Sequence, residues 1–258
     1  MKFSLHVRTG RAAIRQFAER LTDEIESVGG SVVDDPDIVP DLVIAVGGDG
    51  TMLGAAQSAL GWDVPVLGFN LGTLGFLAEA DPGDLSGVVA RLAAGDYQVE
   101  ERSTVTARIG DRSATGINDV VVEKIDSTRL ISLAVVIDGT EFATYRADGL
   151  IIATPTGSTA YSFSAGGPIV DPGVDALVLS PVASHALFDR SLVLPSGATV
   201  DITVTRDRPV RVNVDKTGLG HVREGETVTV TRGARPARFV TFRPTNFPTL
   251  VRDKFGLD

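Results

Sequence analysis

The chain opens with an apolar run at Phe3 to Val7, followed by Ala12 to Val28, where Ile14, Phe17, Leu21, Ile25 and Val28 recur every three or four positions. That spacing lines one face of a helix, which Gly29 and Gly30 then end. The unbroken apolar run at Leu42 to Val46 reads as a strand covered on both sides, as in a parallel sheet. Met52 to Leu60 reads as a helix, Val64 to Phe69 as a strand and Leu85 to Ala94 as a helix. This alternation predicts a parallel sheet with helices on both faces. From Tyr97 the pattern changes to short strands between Gly, Asp and Ser turns: Val99 to Ile109, Val120 to Glu123, Leu130 to Ile137, Phe142 to Arg146 and Leu150 to Ala153. Leu192 to Leu194, Val200 to Val204, Val210 to Val214 and Thr227 to Thr231 continue it, which predicts an antiparallel, β-rich half. Phe239 to Phe242 and Pro248 to Phe255 read as a last strand and a short amphipathic helix that returns to the first half. The expectation is α/β plus all-β: an α/β domain over residues 1–97 joined by the tail 241–258, and a sandwich-like β-rich domain over 98–240, with the active site in the cleft between them.

Composition narrows the function without changing this picture. A chain of 258 residues, 43% hydrophobic and 22% charged, can build a large core or two modest ones. The absence of cysteine excludes disulfides, thiolate metal sites and a cysteine nucleophile. No stretch reaches the roughly eighteen continuous apolar residues of a membrane helix, and the start MKFSLHVRTG lacks the apolar core of an export signal, so a cytoplasmic protein is expected. A net charge of −9 without a basic cluster argues against nucleic-acid binding, and any polyphosphate must be held locally. Lysine occurs only at positions 2, 124, 216 and 254. Scarce lysine on an acidic chain fits a salt-loving cytoplasm, that of a halophilic archaeon; high genomic GC content would favour arginine equally.

Two segments carry candidate chemistry. Leu42 to Thr51 reads LVIAVGGDGT. Glycines directly after a buried strand allow the backbone to turn tightly and to approach a phosphate, and Asp49 then stands at the carboxyl end of the strand, where open α/β sheets bind ligands. The plainer reading is a tight turn with Asp49 capping the next helix. Asp148 to Ser164 reads DGLIIATPTGSTAYSFS: an apolar strand running into a loop dense in hydroxyls and backbone N–H groups, able to wrap ribose or phosphate or simply to cap a helix. His6, His185 and His221 share no ligand spacing, so no metal-ligating residue is assigned.

With GINDVV at Gly116 to Val121, NLGTLGFL at Asn70 to Leu77 and LVLP at Leu192 to Pro195, these segments resemble the NAD kinase family over roughly residues 40 to 255. That family shares Gly-Gly-Asp-Gly with phosphofructokinases and with diacylglycerol and sphingosine kinases, and the second block separates it from the lipid kinases. The resemblance implies a Rossmann-like first domain and phosphorylation of NAD at the 2′-hydroxyl of its adenosine ribose, giving NADP, with ATP or polyphosphate as donor and Mg2+ accompanying ATP. It makes Asp49 the catalytic aspartate and Gly47, Gly48, Gly50 and Thr51 the donor-phosphate loop. It assigns NAD contacts to Asp49, Gly50, Phe76, Asn118, Asp119, Arg146, Asp148, Thr159, Ala160, Tyr161, Ser164, Ala183 and Lys216, and it implies a homodimer or homotetramer. Members often follow the glycine motif with Leu-Leu-Arg-Ala, where this chain has Met52, Leu53, Gly54 and Ala55, so a cation that could touch the donor is missing there. Two rivals remain: a non-catalytic dinucleotide sensor on the same scaffold, and a lipid or sugar kinase sharing the glycine motif.

Overall fold

The computed structural model describes the whole chain except residues 9, 72–74, 78–79, 127, 186–187, 207, 244–245 and 258, and its contacts divide it into two compact units, Met1–Glu101 with Ala237–Asp258, and Arg102–Pro236. The first unit begins with strand β1 (Lys2–Val7), helix α1 (Ala12–Ser27), the two-residue strand β2 (Ser31–Val32) and strand β3 (Leu42–Gly47). Helix α2 (Asp49–Trp62), strand β4 (Val66–Asn70), helix α3 (Leu85–Ala94) and strand β5 (Gln98–Arg102) follow. The spacing of α1 is realised in its buried residues Ile14, Phe17, Leu21 and Ile25, but Val28 lies past the helix end and is 42% exposed.

Among its described residues the second unit holds twelve strands. They are β6 (Val105–Ile109), β7 (Arg112–Gly116), β8 (Asp119–Lys124), β9 (Ile131–Ile137), β10 (Thr140–Ala147) and β11 (Gly149–Ala153), then the four-residue helix α4 (Tyr161–Ser164), β12 (Ala176–Val182), β13 (Leu192–Pro195), β14 (Val200–Val204), β15 (Val210–Val214), β16 (Thr217–Val222) and β17 (Thr227–Arg232). They form two six-stranded sheets, ordered β10-β9-β14-β17-β6-β7 and β13-β12-β11-β8-β15-β16. The registered pairs are antiparallel. One core fills the space between the sheets, with alternate residues such as Val105 and Ala107, Leu133 and Val135, Leu150 and Ile152, and Val200 and Ile202 pointing into it. Val121, Ile151, Ala153 and Val178 form a smaller cluster with Ala165 and Val170. The stretch after β11 therefore covers the outer face of the second sheet. This explains why β11 and nearly all of β12 are buried, and why β12, which carries no alternation, gave no strand signal.

The chain returns to the first unit with strand β18 (Ala237–Thr241) and helix α5 (Phe247–Phe255). The sheet order is β2-β1-β3-β4-β18-β5, with β1, β2, β3, β4 and β18 paired in parallel. Leu42, Ile44 and Val46 of β3 join a core with α1 and α3, while Val43 and Ala45 alternate to the face on which α2 packs. The expected single strand Val99 to Ile109 is two strands in two different sheets. At the break, buried Thr104 donates its hydroxyl to the Arg235 carbonyl at 2.6 Å and accepts the Gly233 N–H at 2.8 Å on its own carbonyl. Those bonds tie the outgoing chain to the returning one. Among the described residues no helix is long and apolar enough to cross a membrane.

Candidate functional site

In the first unit β3 ends at Gly47, Gly48 caps α2 with extended backbone, and α2 begins at Asp49, three residues earlier than Met52. The glycine motif is therefore a one-residue turn. A Cβ on Gly47 would stand 2.4 Å from Thr51 Oγ1, so the turn closes only without one. Asp49 does not cap α2 through its side chain. Its Oδ2 accepts the Phe76 N–H at 3.2 Å, while its Oδ1 is buried and has no partner among the described residues. The chain from Gly75 presses on this carboxylate: a Cβ on Gly75 would come within 1.9 Å of Oδ1. The Phe76 ring packs against Phe255 at 6.2 Å, and the Lys254 ammonium lies 5.5 Å from its centre. Of the expected block Asn70 to Leu77, residues 72–74 lie outside the described residues.

Beside Asp49 lies a cavity of about 470 Å3 lined by Arg8, Arg11, Ile14, Gly47, Gly48, Asn70, Leu71 and Lys254. It opens at the carboxyl ends of β1, β3 and β4, the end at which parallel sheets bind ligands. Gly50 and Thr51 sit in the first turn of α2 outside this lining, and the Thr51 N–H bonds to the Gly48 carbonyl at 2.8 Å. Gly54 packs on His6, whose Nε2 would be 2.9 Å from a Cβ there. Local packing thus leaves no room for a long side chain at that position unless His6 moves.

In the second unit the segment 117–119 is clamped from two sides. Asp215 turns between β15 and β16 in the left-handed region, φ 51°, and its carboxylate accepts the N–H groups of Ile117, Asn118 and Asp119 at 2.9, 2.8 and 3.1 Å. Its own N–H returns a bond to the Asp119 carbonyl at 2.8 Å. From the other side Thr154 donates its hydroxyl to the Ile117 carbonyl at 2.6 Å and its N–H to the Asn118 carbonyl at 2.8 Å. A Cβ on Gly157 would be 2.0 Å from the same Asn118 carbonyl, so glycine alone lets the two strands of chain meet. The Asp119 side of this clamp is only 5% exposed. Burial, and then the neighbouring Asp215 carboxylate, push the Asp119 carboxyl up from 3.8 to about 7. Near neutrality it is both a donor and an acceptor.

Most hydroxyls of the loop after β11 bond to neighbouring protein groups. The Ser158 hydroxyl donates to the Pro155 carbonyl at 2.6 Å and accepts the Val170 N–H at 2.9 Å, Thr159 donates to Thr156, and Ser162 pairs with Ser180 at 2.9 Å. These groups hold the loop itself, because a buried loop must satisfy its own polar atoms. What remains presented outward is Tyr161, Phe163 and Ser164, with Thr159 and Ala160 half-buried. Burial, and then the charges of Glu123, Asp148 and Asp119, hold the Tyr161 hydroxyl above its ordinary range, so the structure gathers Asp119, Asp148 and Tyr161. Asp148 is paired with Lys124 at 2.5 Å, a partner with no signal in sequence. Arg146 is exposed near the end of β10, and its carbonyl accepts the His185 N–H at 2.8 Å. Ala183 follows β12 with φ 47°, a left-handed conformation unusual for alanine. Lys216 is exposed beside Asp215.

Family models describing the ATP-NAD kinase N-terminal and C-terminal domains match residues 14–97 and 117–242. The chain is 40% identical over 228 residues to the NAD kinase of Moorella thermoacetica, covering 86% of this chain and 73% of that one. It is 41% identical over 225 residues to the NAD kinase of Pseudomonas fluorescens SBW25, covering 84% and 76%. Its fold is similar to that of yeast NADH kinase complexed with NADH, with a TM-score of 0.88, 24% identity and coverage of 100% of this chain and 88% of that one. The NAD kinase from Archaeoglobus fulgidus in complex with ATP gives a TM-score of 0.82 at 24% identity, with both chains fully covered. The relatives at about 40% identity are bacterial and lend no support to a halophilic archaeal origin. On these matches the chain belongs to the NAD kinase family.

Proposed function

We propose that this protein transfers the terminal phosphoryl group of ATP to the 2′-hydroxyl of the adenosine ribose of NAD, forming NADP and ADP. One observation carries the reading: in a member of this family, the Asp49 carboxylate stands at the end of a parallel strand with a buried oxygen that no described group satisfies. An unpaired buried acceptor costs stability and is retained where a ligand donor completes it. As the 2′-oxygen bonds to phosphorus and the phosphorus–oxygen bond to the leaving ADP breaks, Asp49 takes the hydroxyl proton.

Asn118, Asp119, Asp148, Thr159, Ala160, Tyr161 and Ser164 hold the dinucleotide in this reading, with Arg146, Ala183, Lys216 and Phe76 as further lining and Gly50 beside it. The clamp by Asp215 and Thr154 supports it, because it orders Asn118 and Asp119 before any ligand arrives. Magnesium fits as an ion carried by the donor: Asp49 is the single carboxylate among the described cavity residues, and no group of three acidic or histidine side chains placed to hold a metal ion occurs among the described residues. When bound, the ion neutralises charge on the transferring phosphate oxygens. The enzyme works in the cytoplasm as a homodimer or homotetramer in this proposal, which sedimentation checks.

The test is turnover of purified protein with labelled ATP and magnesium on NAD, NADH, a sugar and a lipid. NADP formation with NAD is expected; product only on the sugar or lipid overturns the reading, and none at all favours a sensor. Asp49→Asn is expected to lower kcat by about 10²- to 10⁴-fold while the Kd for NAD moves only a few-fold.

A further inference from the structure

The ends of α5 are set by its own sequence. The Asn246 side chain accepts the Thr249 N–H at 3.0 Å, Pro248 stands in the first turn, and Gly256 closes the helix in the left-handed region with φ 62°. Phe247, Leu250, Val251 and Lys254 fall at positions i, i+3, i+4 and i+7 and are half-buried, while no residue of α5 is fully buried. A helix held by one half-covered face opens at lower cost than the core strands. Its last residue, Phe255, is 38% exposed, yet its ring meets that of Phe76 at 6.2 Å and an angle of 51°. The Lys254 ammonium lies over the same Phe76 ring. Phe76 is therefore engaged twice, by α5 through its ring and by Asp49 through its backbone N–H. Among the described residues that N–H makes the one hydrogen bond to the Asp49 side chain.

We infer that Phe255 is a positioning residue for the catalytic aspartate: by backing the Phe76 ring it keeps the 75–76 backbone against Asp49, so that Oδ2 is fixed by the Phe76 N–H and Oδ1 is left for the 2′-hydroxyl. The inference rests on the kinase reading above and adds to it a residue that belongs neither to the glycine motif nor to the dinucleotide-holding half. The steric side of the arrangement is at Gly75, where a Cβ would stand 1.9 Å from Oδ1, so the backbone lies on the carboxylate with no side chain between them. The Phe76 N–H bond, at 3.2 Å, is long for its type and has little reserve if the segment drifts outward. Phe255 touches neither the carboxylate nor the glycine turn through any described contact and acts through Phe76. Because misplacement of about one ångström costs about 10²-fold in rate, turnover is the quantity that the contact between these two rings controls.

The experiment measures kcat, the KM for NAD and for ATP, and amide hydrogen exchange at Phe76, in wild type, Phe255→Ala, Phe255→Tyr, Leu257→Ala, Asp49→Asn and the double variant of Phe255→Ala with Asp49→Asn. Phe255→Ala is expected to lower kcat by about tenfold or more with both KM values within about threefold of wild type, and to speed exchange of the Phe76 amide by about tenfold. Phe255→Tyr keeps the ring and should restore most of both quantities. Leu257→Ala removes apolar surface from the same exposed end of the chain and should leave both unchanged. With Asp49→Asn already present, loss of the Phe255 ring should change the residual rate less than about twofold, because residues that act as one unit do not add. An equal fall with and without the Asp49 carboxylate, or a rise in both KM values with kcat kept, marks a purely structural role and overturns the inference. Wild-type kcat and exchange in Phe255→Ala, folded by circular dichroism, overturn it and leave the kinase standing. Faster Phe76 exchange in that variant of a protein that makes no NADP keeps the link from α5 to Asp49 and overturns the kinase reading. Should Phe255→Ala fail to fold, Phe255→Leu carries the same comparison.

Discussion

Single atoms decide whether Asp49 can act. Its Oδ1 has no partner among the described residues, and a Cβ on Gly75 would stand 1.9 Å from it. Gly75→Ala should push the carboxylate aside or drive the 75–76 backbone off it, lowering kcat by about tenfold or more while the Kd for donor and NAD change little, because misplacement of about an ångström costs rate before affinity. A drop in both affinities with kcat preserved would contradict this. Asp119 titrates at a second critical atom. Its folded pKa, about 7, is above the ordinary 3.8, so the native state binds the proton more tightly than the unfolded chain does. Its contribution to stability is therefore complete below about pH 4 and is lost as pH rises towards 7, by at most a few kcal/mol. Asp119→Asn should flatten the fall in unfolding free energy between those limits in urea titrations; an unchanged slope would show that another group is responsible.

At the scale of elements, the dinucleotide half of the proposal depends on a hairpin turn far away in sequence. The turn between β15 and β16 delivers Asp215 to three consecutive N–H groups at 117–119. A carboxylate receiving several backbone donors is well stabilised, and its removal leaves those donors buried and unsatisfied. Asp215→Ala should cost about 2 to 4 kcal/mol of stability by chemical denaturation and weaken NAD binding more than donor binding. It should also lower the Asp119 pKa, since the Asp215 charge is one of the two causes raising it. Equal weakening of both substrates would point to general unfolding. The helices show the opposite economy: the apolar faces of α1 and α3 are specified by their own residues and join one core with the buried strands β3 and β4.

For the whole molecule the informative quantity is charge. A net −9 spread over 258 residues does not by itself demand molar salt, and the two large cores are built mostly from aliphatic residues. With bacterial relatives at about 40% identity, the expectation is a cooperative thermal transition in low-salt buffer with a Tm that molar KCl changes by only a few degrees. Unfolding at low salt that KCl reverses would revive the halophile reading. The same global charge makes the local cluster of Arg8, Arg11 and Lys254 conspicuous, and anionic donors are expected to lose affinity as salt rises.

Whatever depends on neighbours along the chain could be read from sequence. The α1 face, the doubly covered run at β3, the glycine turn after it and the switch to short strands all follow from period and turn chemistry that span a few residues. What depends on partners distant in sequence could not. Val105 to Ile109 alternates, but Val99 to Thr104 carries neither glycine nor proline to mark where the chain changes sheets, because the tie at Thr104 is made to Gly233 and Arg235, distant in sequence. The hydroxyls of Thr154 and Ser158 carry no mark telling a ligand from the carbonyls they serve. The clamp of Asp215 on 117–119, the press of Gly75 on Asp49 and the meeting of Arg8, Arg11 and Lys254 were decided only when packing brought separate segments together, since close approach and shared charge are properties of space and not of order along the chain.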